Sequence, residues 1–225
     1  MWDFAPFILT LKLSLVTTAI LFIVGVPLAY WLAYSRFKIK VVVEALVALP
    51  IVLPPSVLGF YLLLAFSPQN TFGRLLHEYL DIQFVFSFPG LVIASLIYSM
   101  PFMVQPIQSG FQQLPRTLLD AAYTLGKGRM TTLIKVLLPN IKASLLTGCI
   151  LAFAHTIGEF GVVLMVGGNI PDETRVISIA IYDEVESMNY DKANMYSIAL
   201  LAFSFMILTI VYIINYNHRR KIEIL

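Results

Sequence analysis

One carboxylate, Glu159, lies deep within an apolar stretch of the chain, and His155 precedes it by four residues. On an α-helix this spacing places two side chains on the same face, within reach of each other. A carboxylate in a low-dielectric environment is costly unless it is neutralised or paired, so its presence indicates a specific role. We expect Glu159 to brace the surrounding structure through His155 or a backbone amide; proton coupling is the alternative.

Other catalytic chemistry has no support in the sequence. His77, His155 and His218 lie in separate regions without the spacing of metal ligands, so we predict no metal site. The chain has no glycine-rich phosphate loop, and we therefore expect it to bind no ATP and no other cofactor. Ser109-Gly110 has no accompanying base, so we predict no catalytic residue. Nothing in the sequence indicates nucleic acid binding.

The elements that must position these residues are apolar helices. Hydrophobic residues make up 59% of the 225 residues and charged residues only 12%, against about a quarter in a soluble domain. Several apolar runs reach the ~18–20 residues that a helix needs to cross a bilayer, which predicts an all-α membrane protein. We predict one transmembrane domain over residues 1–225, with five spans at about 13–34, 41–66, 89–107, 141–166 and 195–216.

Prolines interrupt two of these spans. Pro50, Pro54 and Pro55 fall in the second span, where the missing amide donors predict a kink or a break near the middle. Broken backbone at membrane depth requires neighbouring protein or a water-filled cavity, so residues 50–59 either line a pathway or form a packed structural kink. The third span carries two prolines in its last third, and we expect it to be bent as well.

Basic residues predict the orientation of the chain in the membrane. Most of the 15 lysine and arginine residues lie in or beside the 36–40 loop, the polar segment 114–140 and the tail after the last span. Positively charged loops face the cytoplasm, so we predict an external N-terminus and a cytoplasmic C-terminus. The loops on the opposite side hold only Arg74, Arg175 and Lys192.

Two smaller features belong to the predicted outer side. Lys12 divides the first apolar stretch, and we expect it to anchor the first span at the headgroups, with a contact to a transported substrate as the alternative. A short amphipathic helix on a surface is predicted in the acidic outer segment, because four apolar residues recur there at helical spacing. They are Ile177, Ile181, Val185 and Met188.

The polar segment 114–140 carries the punctuation of two short helices. Pro115 suits a first helical position and Gly126 a left-handed residue after a helix, which predicts a first helix over 115–125. A second helix, over about 129–138, should stop before Pro139. The apolar side of the first helix suits either a groove on another protein or the lipid headgroups. That side is formed by Leu118, Leu119, Ala122 and Leu125.

In the same segment, Asp120-Ala121-Ala122, Gly126 and Val136-Leu137-Leu138-Pro139 are separated by three and by nine residues. This pattern resembles the motif of the membrane subunits of binding-protein-dependent ABC importers, with Asp in place of Glu and Val in place of Ile. The resemblance implies a coupling helix that docks on an ATP-hydrolysing subunit. The residues it assigns to coupling are Asp120, Ala121, Ala122, Leu125, Gly126, Lys127 and Pro139.

Two further runs narrow the resemblance. Residues 53–62, and Gly158-Glu159-Phe160-Gly161 followed by 169–175, look like motifs of molybdate permeases; sulfate and tungstate permeases share versions of them. The resemblance implies the type I ABC importer permease fold and ATP-driven uptake of an oxyanion, with molybdate preferred and tungstate or sulfate as alternatives. An ion-driven secondary transporter is the rival, but the internal repeats typical of that class are not evident.

The same resemblance implies partners and a location. We expect a homodimer of this chain, a pair of ATP-binding cassette subunits that bind ATP and magnesium, an extracytoplasmic molybdate-binding protein, and surrounding lipid. The protein would be a multi-pass component of a bacterial or archaeal cell membrane, the inner one in a Gram-negative cell.

Candidate residues for the pathway follow from the motifs and from the chemistry of an oxyanion. Amide and hydroxyl donors suit such a cargo, although each is also interpretable as a helix-packing residue. These possible donors are Ser56, Ser95, Ser99, Gln105, Ser144, Thr147 and Thr156. The pathway or gate candidates are Pro54, Pro55, Ser56, Gly59, His155, Gly158, Glu159 and Gly161.

Overall fold

The computed structural model describes residues 3–80 and 83–222, and every regular element in them is helical. Three helices are long and apolar enough to cross a membrane, and two sharply bent helix pairs raise the number of candidate spans to five. The expectation of an all-α membrane protein is confirmed; its orientation stays a prediction. The helices are α1 (Ala5–Tyr34), α2 (Ile39–Val52), α3 (Pro55–Phe66), α4 (Thr71–Leu80), α5 (Phe88–Gln113), α6 (Arg116–Thr124), α7 (Arg129–Asn140), α8 (Lys142–Ile157), α9 (Gly161–Gly167), α10 (Ile177–Glu186) and α11 (Tyr190–Ile222).

Helices α1, α5 and α8 pack against one another and form the centre of the bundle. Small residues bring their backbones close, as is common between helices in lipid. A Cβ atom at Gly148 of α8 would lie 2.9 Å from the carbonyl oxygen of Met103 in α5. The completely buried side chains Met103, Ile107 and Phe111 of α5 fill the core at this end of the bundle.

The second apolar stretch is broken, as its prolines predict. Helices α2 and α3 meet at an angle of 115°, and the chain between them is extended at Leu53 and Pro54. Leu53 precedes a proline, whose ring disfavours the helical conformation there. After the break, α3 packs on α9 through Gly59, where a Cβ atom would lie 2.8 Å from the Cβ atom of Met165.

The fourth apolar stretch is also broken, and the prediction of one helix over 141–166 is wrong. Helix α8 ends at Ile157, three residues follow, and α9 begins at Gly161. The carbonyl freed at Glu159 accepts a hydrogen bond from Ser178 Oγ at 2.6 Å. The third span behaves in the opposite way, because α5 runs as one helix through Pro101 and Pro106.

The outer features differ in detail from expectation. Helix α1 begins at Ala5, so the part before Lys12 continues the same helix, and Lys12 Nζ lies 4.5 Å from the centre of the Phe88 ring. The predicted amphipathic helix is α10, but its apolar residues do not form one buried stripe. Ile177 is fully buried, whereas Val185 and Met188 are exposed.

The close approach of α3 and α9 predicts the effect of adding one methyl group. Gly59→Ala would push a Cβ atom into Met165 and to 3.1 Å from the Val162 backbone, which should cost about 1–3 kcal/mol. Gly128→Ala is the control, because Gly128 has a φ of −70° and no atom within 4 Å of its Cβ position. Thermal unfolding of purified protein in detergent should show a lower midpoint for the first variant only; equal midpoints would contradict this packing.

Candidate functional site

The two breaks meet at a cavity of about 560 Å³. One wall is the start of α3, and the opposite wall is the interrupted segment between α8 and α9; α5 contributes a third side. A Cβ atom on Gly161 would lie 2.8 Å from the Pro55 Cβ atom, so glycine is what allows the two helix starts to touch. The cavity is lined by Pro55, Ser56, Tyr98, Ala154, His155, Gly158, Glu159, Phe160 and Gly161.

Glu159 is held by α5 rather than by its own helix. Its side chain is 3% exposed, and Oε2 accepts a hydrogen bond from Ser95 Oγ at 2.7 Å. Its Oε1 is buried without a hydrogen-bond partner among the described residues. The expected pairing with His155 is wrong, because α8 ends at Ile157 and the four-residue helical spacing no longer applies.

His155 lies in an aromatic cluster formed with Tyr98 and Phe102 of α5. Its ring stacks on Phe102 at a centroid distance of 4.0 Å and contacts Tyr98 at 4.6 Å. Its Nδ1 and Ser99 Oγ share a hydrogen bond of 2.9 Å, and Ser99 Oγ is also 3.0 Å from Thr156 Oγ1. The cluster therefore ties α8 to α5 at the edge of the cavity.

The structure brings most of the pathway candidates together. Pro54 precedes the cavity at the break, and Gly59 lies one turn further along α3 against α9. Sequence reasoning missed Tyr98, Ala154 and Phe160, since no local pattern links Tyr98 to a residue more than fifty positions away. The candidates that line the cavity are Pro55, Ser56, His155, Gly158, Glu159 and Gly161.

Most of the proposed hydroxyl donors are already engaged within the bundle. Ser95, Ser99 and Thr156 make the contacts given above. Thr147 Oγ1 donates to the carbonyl oxygen of Ala143 at 2.8 Å, and Ser144 packs closely against Gly110. Ser56 and Gln105 are the two of these candidates that are exposed, and neither makes a hydrogen bond to another described residue.

The first helix of the polar segment is α6, and it ends as Gly126 predicts. Gly126 has a φ of +71°; its amide donates to the Tyr123 carbonyl at 2.9 Å, and the Lys127 amide donates to the Ala122 carbonyl at 3.0 Å. These two bonds form a Schellman motif, which closes a helix on a left-handed glycine. The turn thus needs a residue that tolerates positive φ.

The faces of α6 differ from the predicted apolar side. Ala122 is 5% exposed and Leu119 packs against the core, so both face the bundle, whereas Leu125 is 76% exposed. The outward surface of α6, α7 and the turn between them, called here the coupling surface, is unusually apolar for a polar segment. It carries the exposed side chains of Tyr123, Leu125, Met130 and Ile134, with Asp120, Ala121 and Lys127 beside them.

Helix α7 continues through Pro139, so the prediction that it stops before this proline is wrong. Residues Leu133–Leu137 form a π-helical turn, and the helix ends at Asn140. Proline removes one amide donor from a helix. Asn140 Nδ2 donates to the Val136 carbonyl at 2.6 Å, which supplies a donor to the carbonyls near the end of this helix. The chain then turns by 78° into α8.

The run 169–175 is a structural brace. Arg175 Nε donates to Asn169 Oδ1 at 2.5 Å, and Asn169 Nδ2 donates to Asp183 Oδ1 of α10 at 2.9 Å. Thr174 is fully buried, and its Oγ1 accepts from the Ile170 amide at 3.1 Å. These side chains fasten the loop to α10, and their hydrogen bonds are internal.

These features define a class: a polytopic membrane transport component, with interrupted spans around a cavity and a helical docking surface at one end. The chain belongs to the family of binding-protein-dependent transport system inner membrane components, whose sequence profile matches residues 25–224. The resemblance drawn from the 120–139 motif is thereby confirmed.

Three comparisons illustrate the relationship. The chain is 46% identical over 211 residues to the molybdenum transport system permease protein ModB of Azotobacter vinelandii, covering 93% of each protein. It is 31% identical over 204 residues to the sulfate transport system permease protein CysT of Salmonella typhimurium, covering 91% of this chain and 73% of that one. Among solved structures, the inward-facing MetNI methionine ABC transporter shares the fold, with a TM-score of 0.71, 17% identity and coverage of 93% and 92%.

The hydrogen bond between Ser95 and Glu159 predicts a stability effect. Ser95→Ala would leave a buried carboxylate with no donor, which should cost about 1–3 kcal/mol and lower the unfolding midpoint by roughly 3–9 °C. Ser14→Ala is the control: Ser14 is also completely buried, but its hydroxyl donates only to the Thr10 carbonyl within α1. If thermal unfolding in detergent gives the same midpoint for both variants, the Ser95 bond is not a brace.

Proposed function

We propose that this chain is the membrane-spanning permease subunit of an ATP-driven oxyanion importer, and that its cargo is molybdate. The observation that carries the proposal is the high identity, along nearly the full length of both chains, to the molybdenum permease of Azotobacter vinelandii. The lower identity to a sulfate permease makes sulfate, with tungstate, the alternative cargo. Both are tetrahedral dianions, so the transport chemistry is shared.

The cavity suits a gate for an anion better than a tight binding site. The described lining residues include no lysine or arginine, so no fixed cation would hold a dianion too strongly to release it. Ser56 offers an exposed hydroxyl at the start of α3. Glu159 would repel an anionic cargo as a direct ligand, and its burial and bond to Ser95 support a bracing role instead.

The coupling surface supports docking of an ATP-hydrolysing partner. An exposed apolar patch within a polar segment commonly marks a protein interface, and two short helices can occupy a groove on another protein. In this proposal Asp120, Ala121, Leu125, Gly126 and Lys127 lie at the interface. Ala122 and Pro139 act from behind it, by packing α6 on the bundle and by shaping the end of α7.

The remaining partners follow from the family. Two copies of this chain would enclose one pathway, two ATP-binding cassette subunits would bind ATP and magnesium, and an extracytoplasmic binding protein would deliver molybdate to the outer loops. Selectivity among oxyanions would reside mostly in that binding protein. The complex would lie in the bacterial or archaeal cell membrane, the inner one in a Gram-negative cell, with the coupling surface in the cytoplasm.

Uptake by reconstituted protein tests the driving force and the cargo together. Proteoliposomes that contain the permease, its ATPase and its binding protein should accumulate labelled molybdate only when ATP is supplied. Excess unlabelled tungstate should compete more effectively than excess sulfate, because tungstate matches molybdate in size. Uptake without the ATPase would favour an ion-driven transporter, and strong competition by sulfate would favour the alternative cargo.

The left-handed turn at Gly126 predicts a second test. Gly126→Val places a β-branched residue at positive φ, which should cost about 1–3 kcal/mol and unwind the end of α6. We expect at least a tenfold loss of ATP-driven molybdate uptake and weaker co-purification of the ATPase. Gly126→Asn is the matched control, since asparagine tolerates the left-handed region, and it should retain uptake within about threefold. Normal uptake by the valine variant would contradict the coupling role.

A further inference from the structure

We infer that one face of α5, formed by Gln105, Ser109 and Gln112, lines the cytoplasmic half of the anion pathway opposite the same face of a second copy. This set is called the α5 polar face. The inference deepens the proposed function and rests on it, since it assigns donors to the oxyanion that the permease is proposed to carry.

The exposed residues of the spans separate into two kinds. Every exposed residue of α1 between positions 15 and 27, and of α11 between positions 195 and 206, is apolar. After Pro89, every exposed residue of α5 is polar, namely Gln105, Ser109, Gln112 and Gln113. Side-chain amides facing hydrocarbon would be left without hydrogen-bond partners, which is costly. The α5 polar face must therefore meet water or other protein.

The spacing places these residues on a single line that reaches the cavity. Tyr98, Phe102, Gln105, Ser109 and Gln112 follow one another at intervals of four, three, four and three residues, which is one face of a helix. Tyr98 lines the cavity, and with Phe102 it belongs to the aromatic cluster. The line thus runs from the cavity, past the aromatic cluster, to the end of α5 next to the coupling surface.

The neighbouring faces of α5 are occupied, so the opening is confined to this line. Met103, Ile107 and Phe111 are completely buried in the core. On the other flank Gln108 Nε2 donates to Glu44 Oε1 of α2 at 2.5 Å, and Lys40 Nζ lies 3.6 Å from the same oxygen, so this pair of charges is already matched. Nothing among the described residues of one copy covers the line, and a second copy related by two-fold symmetry would face it with an identical line.

The chemistry of the α5 polar face suits passage of a tetrahedral oxyanion. Gln105 and Gln112 each carry an amide group with two N–H donors, and Ser109 carries a hydroxyl. Gln113 Nε2 donates to Ser109 Oγ at 3.1 Å, which leaves the hydroxyl hydrogen of Ser109 free to donate outward. Neutral donors stabilise an anion without the strong attraction of lysine or arginine, so the anion can move on.

Cysteine labelling tests water access along this line independently of transport. Cys149 is the only cysteine, so Cys149→Ser gives a background without thiols. Single changes Gln105→Cys, Ser109→Cys and Gln112→Cys would be treated, in inside-out vesicles that contain the full complex, with a negatively charged, membrane-impermeant methanethiosulfonate reagent. Val24→Cys is the matched control: it is exposed, lies ten residues before the end of α1, and Gln105 lies eight before the end of α5. Ile107→Cys is the buried control.

We expect the three α5 positions to react at least tenfold faster than Val24→Cys and Ile107→Cys, and saturating molybdate to slow the reaction at Gln105→Cys. Reaction at Gln112→Cys alone, or rates equal to those of the controls, would overturn the inference. Labelling requires no ATP, so it would succeed even if uptake proved not to be ATP-driven. Conversely, ATP-driven uptake together with an unreactive line would reject the α5 polar face and leave the proposed function standing.

Discussion

Broken helices inside a membrane are possible only where protein or water satisfies the freed backbone groups, and this constraint organises the whole bundle. The chain contains two such breaks, one at Leu53-Pro54 and one after Ile157. They are packed against each other: the start of α9 touches the start of α3 at Gly161, and the Glu159 carbonyl takes a donor from Ser178 of α10. The cavity is the space that remains between the two breaks. Its position is therefore fixed by backbone hydrogen bonding as much as by any side chain.

Once the breaks are joined, α5 is the element that holds them. This helix gives Ser95 to the Glu159 carboxylate, Ser99 to His155, and the rings of Tyr98 and Phe102 to the same histidine. An interrupted segment has no helical ladder of its own, so these contacts determine where it lies. The unbroken course of α5 through Pro101 and Pro106 makes it a suitable support. A carboxylate in this arrangement serves the architecture, which explains how an anion pathway can tolerate one.

The sequence predicted the features that local chemistry dictates and missed those that depend on distant contacts. Prolines announced the first break, and Gly126 announced the end of α6, because both act through their own backbone. The second break lies in a uniformly apolar run, where Gly158 and Gly161 gave no local sign of the α3 contact that requires one of them. Glu159 was recognised as significant, but its partner Ser95 lies 64 positions away, beyond any periodicity. Pro139 was given too much weight, since a π-helical turn and the Asn140 side chain accommodate it.

The link between the coupling surface and the cavity is short in chain terms. Helix α6 follows α5 after only Leu114 and Pro115, both in extended conformation, and Ala122 and Leu119 press α6 back onto the core. Helix α5 is 26 residues long, hence about 39 Å, and it passes from this junction through the α5 polar face to the aromatic cluster. In the proposed importer, a displacement of α6 by the ATPase would therefore act directly on the helix that positions His155 and Glu159. A rigid lever of this kind needs no chain of intermediate side chains to carry the signal, because docking surface and gate are attached to one element.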